Sequence, residues 1–195
     1  MLLQKEEIQQ IVQHVPKRQD IVPAYTPSAI LMLFFNRDRE THLVYIRRTK
    51  GAPVHSGSMA FPGGKIDPHD DSNFAAAARE TSEEIGVDQT AYEHLGEMGF
   101  FETFTSKFDA AAHIAWCMAP PSYVRNTFEV AEIIEIPISE LYKQFRLDLN
   151  FDDPNEVMYL GFHFQPSHSE AVNIWGLTAR ITHHFLQGLA DFMSS

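Results

Sequence analysis

The chain has 195 residues, of which 44% are hydrophobic and 21% charged, and its formal net charge is −11. That balance suits one globular domain able to bury about 70% of its unfolded surface without a disulfide or a structural metal. The acidic excess argues against a general nucleic-acid binder, whose affinity rests on Lys and Arg against phosphates, but it leaves small phosphorylated ligands open.

Residues 1–15 set Leu2, Leu3, Ile8, Ile11, Val12 and Val15 among Gln, Lys and Glu, an amphipathic helical pattern. Residues 1–22 are therefore expected to be a helical extension of a single domain spanning 1–195. Glu6 and Glu7 interrupt the apolar residues and no small-residue cleavage site follows, so the segment does not read as a signal peptide. No stretch reaches the ~18 apolar residues of a membrane span, and the end is not of the Ser-Lys-Leu type, which makes the cytoplasm the expected location.

After Pro23 and Pro27, the runs SAILMLFF and HLVYIRR flank the polar residues Asn36 to Glu40 and predict a β-hairpin. Residues 49–58 read as a Gly/Pro/Ser loop, and Ser58 to Phe61 as a short strand ending at a turn made by Gly63 and Gly64. A helix is predicted over about 73–85: Asp71 or Ser72 can cap it, Ala75 to Ala78 favour it, and Gly86 is placed to end it. Strands follow near 92–101, 110–119 and 128–136, then a short helix around Ser139 to Phe145. Two further segments near 157–164 and 170–174 precede a last helix from about Leu177 to Phe192. Strands in mixed order with helices after a central turn and at the end give an α/β/α sandwich around a mixed sheet.

The chemistry concentrates on the central helix. At ~3.6 residues per turn, Glu80, Glu83 and Glu84 share an arc of roughly 100°, which Arg79 extends to about 140°. Phe74, Ala77, Ala78, Thr81 and Ile85 form another face, the one expected to pack on the sheet. Three carboxylates on one stripe repel one another unless a cation binds. With no Cys or His in the cluster, the hard oxygen donors select Mg or Mn, and magnesium is commonly shared with substrate phosphates, which points to phosphoryl-type hydrolysis. A solvated acidic helix face is the plain alternative for Glu-x-x-Glu-Glu by itself. Arg47, Arg48, Lys50 and Lys65 gather around the glycine turn, with phosphate contact and simple solvation weighing about evenly.

These residues resemble the Nudix hydrolase superfamily, whose box runs Gly, five residues, Glu, seven residues, Arg-Glu, an apolar residue, any residue, Glu-Glu, any residue, Gly, then an apolar residue. Arg79, Glu80, Glu83, Glu84, Gly86 and Val87 take their places, with Thr81 where a larger apolar residue is usual. In the first half, five residues lead from Gly64 to Asp70 rather than Glu, and eight then lead to Arg79. The stretch FPGGKIDPHD before an alanine-rich helix is similar to the coenzyme A diphosphatase branch. Arg48, Thr49 and Gly57 partly match the signature preceding the box in that branch, with Pro53 standing where it has arginine, and Ile174 to Ala179 match a later stretch.

The resemblance implies a Nudix fold and hydrolysis of a diphosphate bond in coenzyme A or acyl-coenzyme A with Mg2+ or Mn2+. It implies that Glu80 and Glu84 ligate metal, that the Gly64 carbonyl adds an oxygen, and that Glu83 ligates a second metal or deprotonates water while Arg79 holds it. Glu102 is a second base candidate. Phe61, Gly63, Lys65, Arg47 and Arg48 would contact substrate. ADP-ribose, dinucleotides or nucleoside triphosphates are the alternative substrates, and a non-catalytic nucleotide sensor is the alternative class. The only macromolecular partner left open is a second copy in a homodimer.

Several residues have plainer readings. Cys117 lies in an apolar run and is expected in the core rather than as a nucleophile. Trp116 and Trp175 are expected to pack, His55 to be structural or solvated, and the adjacent His183 and His184 not to share a metal-facing stripe. Phe100, Phe101, Phe104 and Phe108 surround Glu102 and, on a loop beside a cleft, would close over an adenine; in the core they would only pack.

Overall fold

The structure is a computed structural model that describes residues 1–49, 57–103, 105–149, 156 and 160–195. Lys50, Pro53, His55 and Phe104, with the start of the segment expected near 157–164, lie outside the described residues.

Alternation in the first hairpin sets the layers. Strands β1 (Thr26–Arg37) and β2 (Glu40–Arg48) pair antiparallel from Phe34–Leu43 to Arg37–Glu40, around a turn in which Asp38 and Arg39 both take positive φ. Leu31, Leu33 and Phe35 face one side of the sheet and Met32 and Phe34 the other, all fully buried, because successive strand side chains point to opposite faces.

The two strands then part. Strand β3 (Met59–Ala60) pairs with β2 at Ile46–Ala60, and β4 (Gly63–Lys65) pairs with β1 at Ala29–Gly64. Residues 59–65 thus fill the fork, closed by the Leu31 N–H donating to the Pro62 carbonyl at 2.9 Å. The strand expected at Ser58 to Phe61 is present as β3, and the expected glycine turn is itself a short strand, β4, separated from β3 at Pro62, which has no N–H to continue a ladder. Helix α1 (Lys5–His14) precedes the hairpin, and α2 (Asn73–Ile85) follows β4. The other edge of β1 pairs in parallel with β6 (Phe108–Cys117), which pairs antiparallel with β5 (Tyr92–Glu102), while β7 (Val130–Pro137) covers β2.

The result is a seven-stranded mixed sheet. Helix α2 packs Ala76, Ala77 and Ile85 on the face with Ala29, Leu31 and Ala111. On the opposite face lie α1 and the last helix, after the short α3 (Ile138–Tyr142) and a hairpin of β8 (Gly161–Phe164) and β9 (Val172–Trp175). That last helix, α4 (Gly176–Met193), sets Phe185 against Phe34 at 4.8 Å, and the buried Tyr45 hydroxyl meets Thr182 Oγ1 at 2.9 Å. The α/β/α sandwich around a mixed sheet is as expected, and no helix among the described residues is long and apolar enough to cross a membrane.

Trp116 and Cys117 are buried, and burial pushes the Cys117 thiol up to about 12. Trp175 departs from expectation: it is 53% exposed, at the end of a short two-stranded sheet immediately before α4. His183 and His184 point apart, to the Arg146 and Pro16 carbonyls.

A histidine pair joins the two central layers. His113 of β6 is 3% exposed, its Nδ1 lies 3.2 Å from His94 Nε2, and Phe74 of α2 stacks on His94 at 3.8 Å. Burial, then the neighbouring His94, pushes His113 down from 6.5 to about 4, and Glu97 at 3.9 Å is too distant to offset this. The unfolded chain therefore takes up a proton that the folded chain refuses. Stability from this residue is complete above pH 6.5 and declines as pH falls toward 4, by up to about 3 kcal/mol. Urea unfolding of His113→Gln should accordingly vary less between pH 7 and pH 4 than wild type; parallel profiles would show that His113 is not responsible.

Candidate active site

The acidic helix is fixed at both ends. Ser72 Oγ accepts from the Ala75 N–H at 3.0 Å, so Ser72 rather than Asp71 is the cap. Gly86 takes φ 71° and ψ 17°, the left-handed stop. The Val124 and Asn126 N–H groups donate to the Ile85 and Glu84 carbonyls at 2.9 Å, which satisfies the helix end and leads the loop back toward the site. Thr81, fully buried in place of a larger apolar residue, turns its hydroxyl to the Ala77 carbonyl at 2.7 Å.

Arg79 organises the exposed side. Its Nε and Nη2 grip Asp70 at 3.0 and 3.1 Å, Nη1 reaches Glu80 at 3.1 Å and Glu83 at 3.2 Å, and Nη2 also meets the Lys65 carbonyl at 3.2 Å. The guanidinium holds Asp70 below the usual carboxylate range. Asp70, displaced by one residue from the common spacing, is therefore tied into the helix after all.

Glu84 is the unexpected member. A stripe separate from the packing face was expected, yet Glu84 is 1% exposed. It accepts from the Gly63 N–H at 3.0 Å and lies 3.8 Å from Arg48 Nη1. Burial raises it to about 7, opposed by Gly63 and Arg48 and reinforced by Glu80 and Glu129. Burial also raises Glu80, with Arg79 opposing and Glu83 and Glu129 adding. Glu129, which no sequence motif singles out, is thus close enough to act on both; its carbonyl is held by the Thr49 N–H at 2.9 Å. Only the loop that caps α2 brings it there, and no spacing rule foretells that.

The other candidates divide. A Cβ on Gly64 would lie 2.5 Å from Glu80 Cδ, so the glycine backbone lies directly against that carboxylate. Arg47 bonds Glu132 at 3.1 Å and the Glu170 carbonyl at 3.2 Å, which commits it elsewhere. Lys65 is exposed, its Nζ 5.8 Å from the Phe108 ring. Phe61 is 2% exposed and stacks on Tyr45 at 4.8 Å, so its ring supports the turn from the core. Glu102 ends β5; counting strands from Lys65 through Ser28 and Ala110 to Phe101 sets this end of β5 about 14 Å from the glycine strand. Phe100 and Phe101 are strand residues rather than parts of a closing loop.

These donors fit a hard divalent cation. Among the described residues no three His, Cys, Asp or Glu side chains form a ready-made cage. Glu80 and Glu84 act as a coupled, partly desolvated carboxylate pair beside an open backbone, which matches a cation that completes its shell with water and substrate phosphate.

The two glycines should respond differently to alanine. At Gly63, φ is 146° and a Cβ would lie 2.7 Å from Ile30 Cα on the backbone of β1, so Gly63→Ala should lose about 2–4 kcal/mol. At Gly64 the obstacle is only the end of a flexible side chain, and Gly64→Ala should stay within about 1 kcal/mol of wild type. Urea denaturation of both variants checks this, and equal losses would contradict it.

Comparison with known proteins agrees with this fold. The NUDIX domain profile matches residues 25–161. The uncharacterized Nudix hydrolase NudL of Yersinia pestis (strain Pestoides F) is 32% identical over 163 residues, covering 82% of this chain and 78% of that protein. A MutT/nudix family protein from Enterococcus faecalis shares the fold at TM-score 0.59 and 13% identity, over 98% of this chain and 76% of that one. An Ap4A hydrolase from C. elegans does so at TM-score 0.54 and 14% identity, over 87% and 98%. Nudix hydrolases cleave diphosphate bonds in small nucleotide-type substrates and generally need a divalent metal ion. With the profile covering most of its length and the box carboxylates gathered on α2 around the glycine strand, this chain belongs to the Nudix hydrolase family.

Proposed function

We propose that this Nudix hydrolase cleaves the diphosphate bond of coenzyme A or an acyl derivative, giving 3',5'-ADP and 4'-phosphopantetheine or its acyl form. The observation that carries the reading is the fork between Arg79 and Asp70. The Phe-Pro-Gly-Gly and Asp layout that resembles the coenzyme A diphosphatase branch is built into the site, since Asp70 anchors the arginine that holds Glu80 and Glu83. We read residues 1–195 as one catalytic domain with 1–22 as its extension, and place it in the cytoplasm on its single, buried cysteine.

In this reading Glu80 and Glu84, with the Gly64 carbonyl, hold Mg2+ or Mn2+, the ions that oxygen donors favour. When bound, the metal polarises the diphosphate and lowers the pKa of water. Glu83 and Glu129 are the carboxylates positioned to take the proton from that water, Glu129 in preference to Glu102 because its charge reaches Glu80 and Glu84. Arg79 is a positioning residue, and Arg48 and Lys65 supply cations beside the glycine strand. Pro53, where the branch signature carries arginine, favours a second reading with ADP-ribose, a dinucleotide or a nucleoside triphosphate as substrate.

Purified protein incubated with coenzyme A and Mg2+ or Mn2+ should release 3',5'-ADP by mass, and Glu83→Gln should slow this about 100-fold or more. Intact coenzyme A beside cleaved ADP-ribose would replace the first reading by the second. Asp70→Asn should lower kcat about tenfold with little change in KM, because an amide cannot hold the guanidinium fork. An unchanged kcat would mean that Arg79 is positioned without Asp70.

A further inference from the structure

A cavity of about 310 Å³ lies where the extension, β5 and α4 meet, lined by Arg18, Met98, Phe101, Glu102, Arg180 and His184 among others. Both arginines come from outside residues 25–161, the span that the family profile matches, while Glu102 comes from within it. The walls are nevertheless firmly built. β5 bulges between Glu97 and Phe100, and the chain at Arg18 is sewn to it by the Phe100 N–H donating to the Arg18 carbonyl at 2.9 Å. Gly99, at φ 95°, permits this approach, since a Cβ there would lie 2.8 Å from the Arg18 carbonyl oxygen. The Arg18 guanidinium forks onto Asp109, whose side chain is fully buried and also accepts the Val22 N–H at 2.9 Å. From the other wall, Arg180 Nη1 donates to the Glu102 carbonyl at 2.8 Å, and His184 Nε2 lies 2.9 Å from the Pro16 carbonyl oxygen, tying α4 to the extension.

We infer that this cavity is a binding site for a phosphate monoester carried on a nucleoside, with Arg180 as its principal cation and Phe101 and Met98 as the apolar surface for the base. Arg180 borders a partly desolvated space whose other guanidinium, that of Arg18, is already paired with Asp109. Burial works hardest against the charge of Arg180, with Glu102 favouring that charge and Arg18 disfavouring it. An anion there would offset both costs, and the planar fork of guanidinium suits phosphate oxygens. Because roughly 300 Å³ is the lower range of small-molecule sites and exceeds what one phosphate fills, the ligand carries a further group for the aromatic and thioether wall. Register puts this end of β5 about 14 Å along the sheet from the glycine strand, at the same end of the sheet, so the far end of a nucleotide whose diphosphate lies at Glu80 would reach the cavity around that end, α2 and α4 being on opposite faces. Resting on the proposed function, the inference gives the ligand two sources: the 3'-phosphate of coenzyme A itself, or a separate nucleoside monophosphate acting as effector.

The test measures steady-state hydrolysis of coenzyme A and of dephospho-coenzyme A by the full chain and by Arg180→Gln, together with calorimetric titration of 3'-AMP. If the substrate's own phosphate occupies the cavity, Arg180→Gln raises KM for coenzyme A about tenfold, the worth of one charge-assisted hydrogen bond, and leaves KM for dephospho-coenzyme A and both kcat values nearly unchanged. If the ligand is an effector, 3'-AMP binds wild type and not the variant while both KM values stay equal to wild type. Arg180→Lys, which keeps the charge and loses the fork, should fall between the two in whichever readout moves, and it serves if the glutamine variant fails to fold. Equal KM changes for the two substrates, or no KM change and no 3'-AMP binding to wild type, would overturn the cavity. Failure of wild type to cleave either coenzyme would instead overturn the substrate reading, and the 3'-AMP titration would still decide the cavity.

Discussion

The close approach of a glycine backbone to a helix bearing three glutamates is the constraint on which the rest of this site depends. β1 and β2 separate so that residues 59–65 can enter between them, and Gly63 and Gly64 have no side chains to hold the helix away. Glu84 can then reach the Gly63 N–H from the end of a helix whose neighbouring turns are buried against the sheet. A hydrogen bond to a carboxylate offsets only part of the cost of burying it, which is why Glu84 remains raised to about 7. The fold thus holds a carboxylate where burial disfavours its charge, a cost that the Gly63 N–H and Arg48 offset only in part.

Arg79 makes bonds of unequal strength, and the inequality matters for chemistry. Its grip on Asp70 is bidentate and Asp70 is only 7% exposed, whereas Glu83 is 57% exposed and meets the same guanidinium through one bond. An exposed pair spaced i,i+4 contributes a few tenths of a kcal/mol, far less than a sheltered fork. Glu83 can therefore leave Arg79 at little cost while Arg79 itself stays in place. A fixed anchor with one loosely held carboxylate suits a residue whose partners must change during a reaction.

Much of this was legible in the sequence, for identifiable reasons. Alternation in the first hairpin, the Ser72 and Gly86 caps and the alanine run fix local structure through short-range physics, and each appears where expected. Helical spacing placed Glu80 and Glu83 together with Arg79. It could not show that Glu84 would be buried, because burial depends on how closely the glycine strand approaches, a property of two segments about twenty residues apart in the chain. Glu129 was illegible for the same reason: its place follows from backbone bonds between the 123–130 loop and the end of α2. Glu102, conspicuous among aromatics, ends β5, where its backbone carbonyl accepts from Arg180 of α4. Local motifs reveal chemistry that lies on one element and miss what loops bring from elsewhere.

That division also separates reaction from recognition. The carboxylates, the glycine strand and Arg79 all lie within residues 25–161, on elements whose geometry the sheet dictates. Arg18, Arg180 and His184 come from the flanks, and the flanks touch the sheet mainly along the opposite face and the β5 edge. A change in the extension or α4 can reshape that edge without disturbing the fork between β1 and β2, because the sheet lies between them. The bulge in β5 is the structural link: by admitting the chain at Arg18 it turns an exposed edge into a wall, and it protects backbone groups that an open edge would leave available for aggregation. The same feature therefore protects the edge and builds one wall of the cavity.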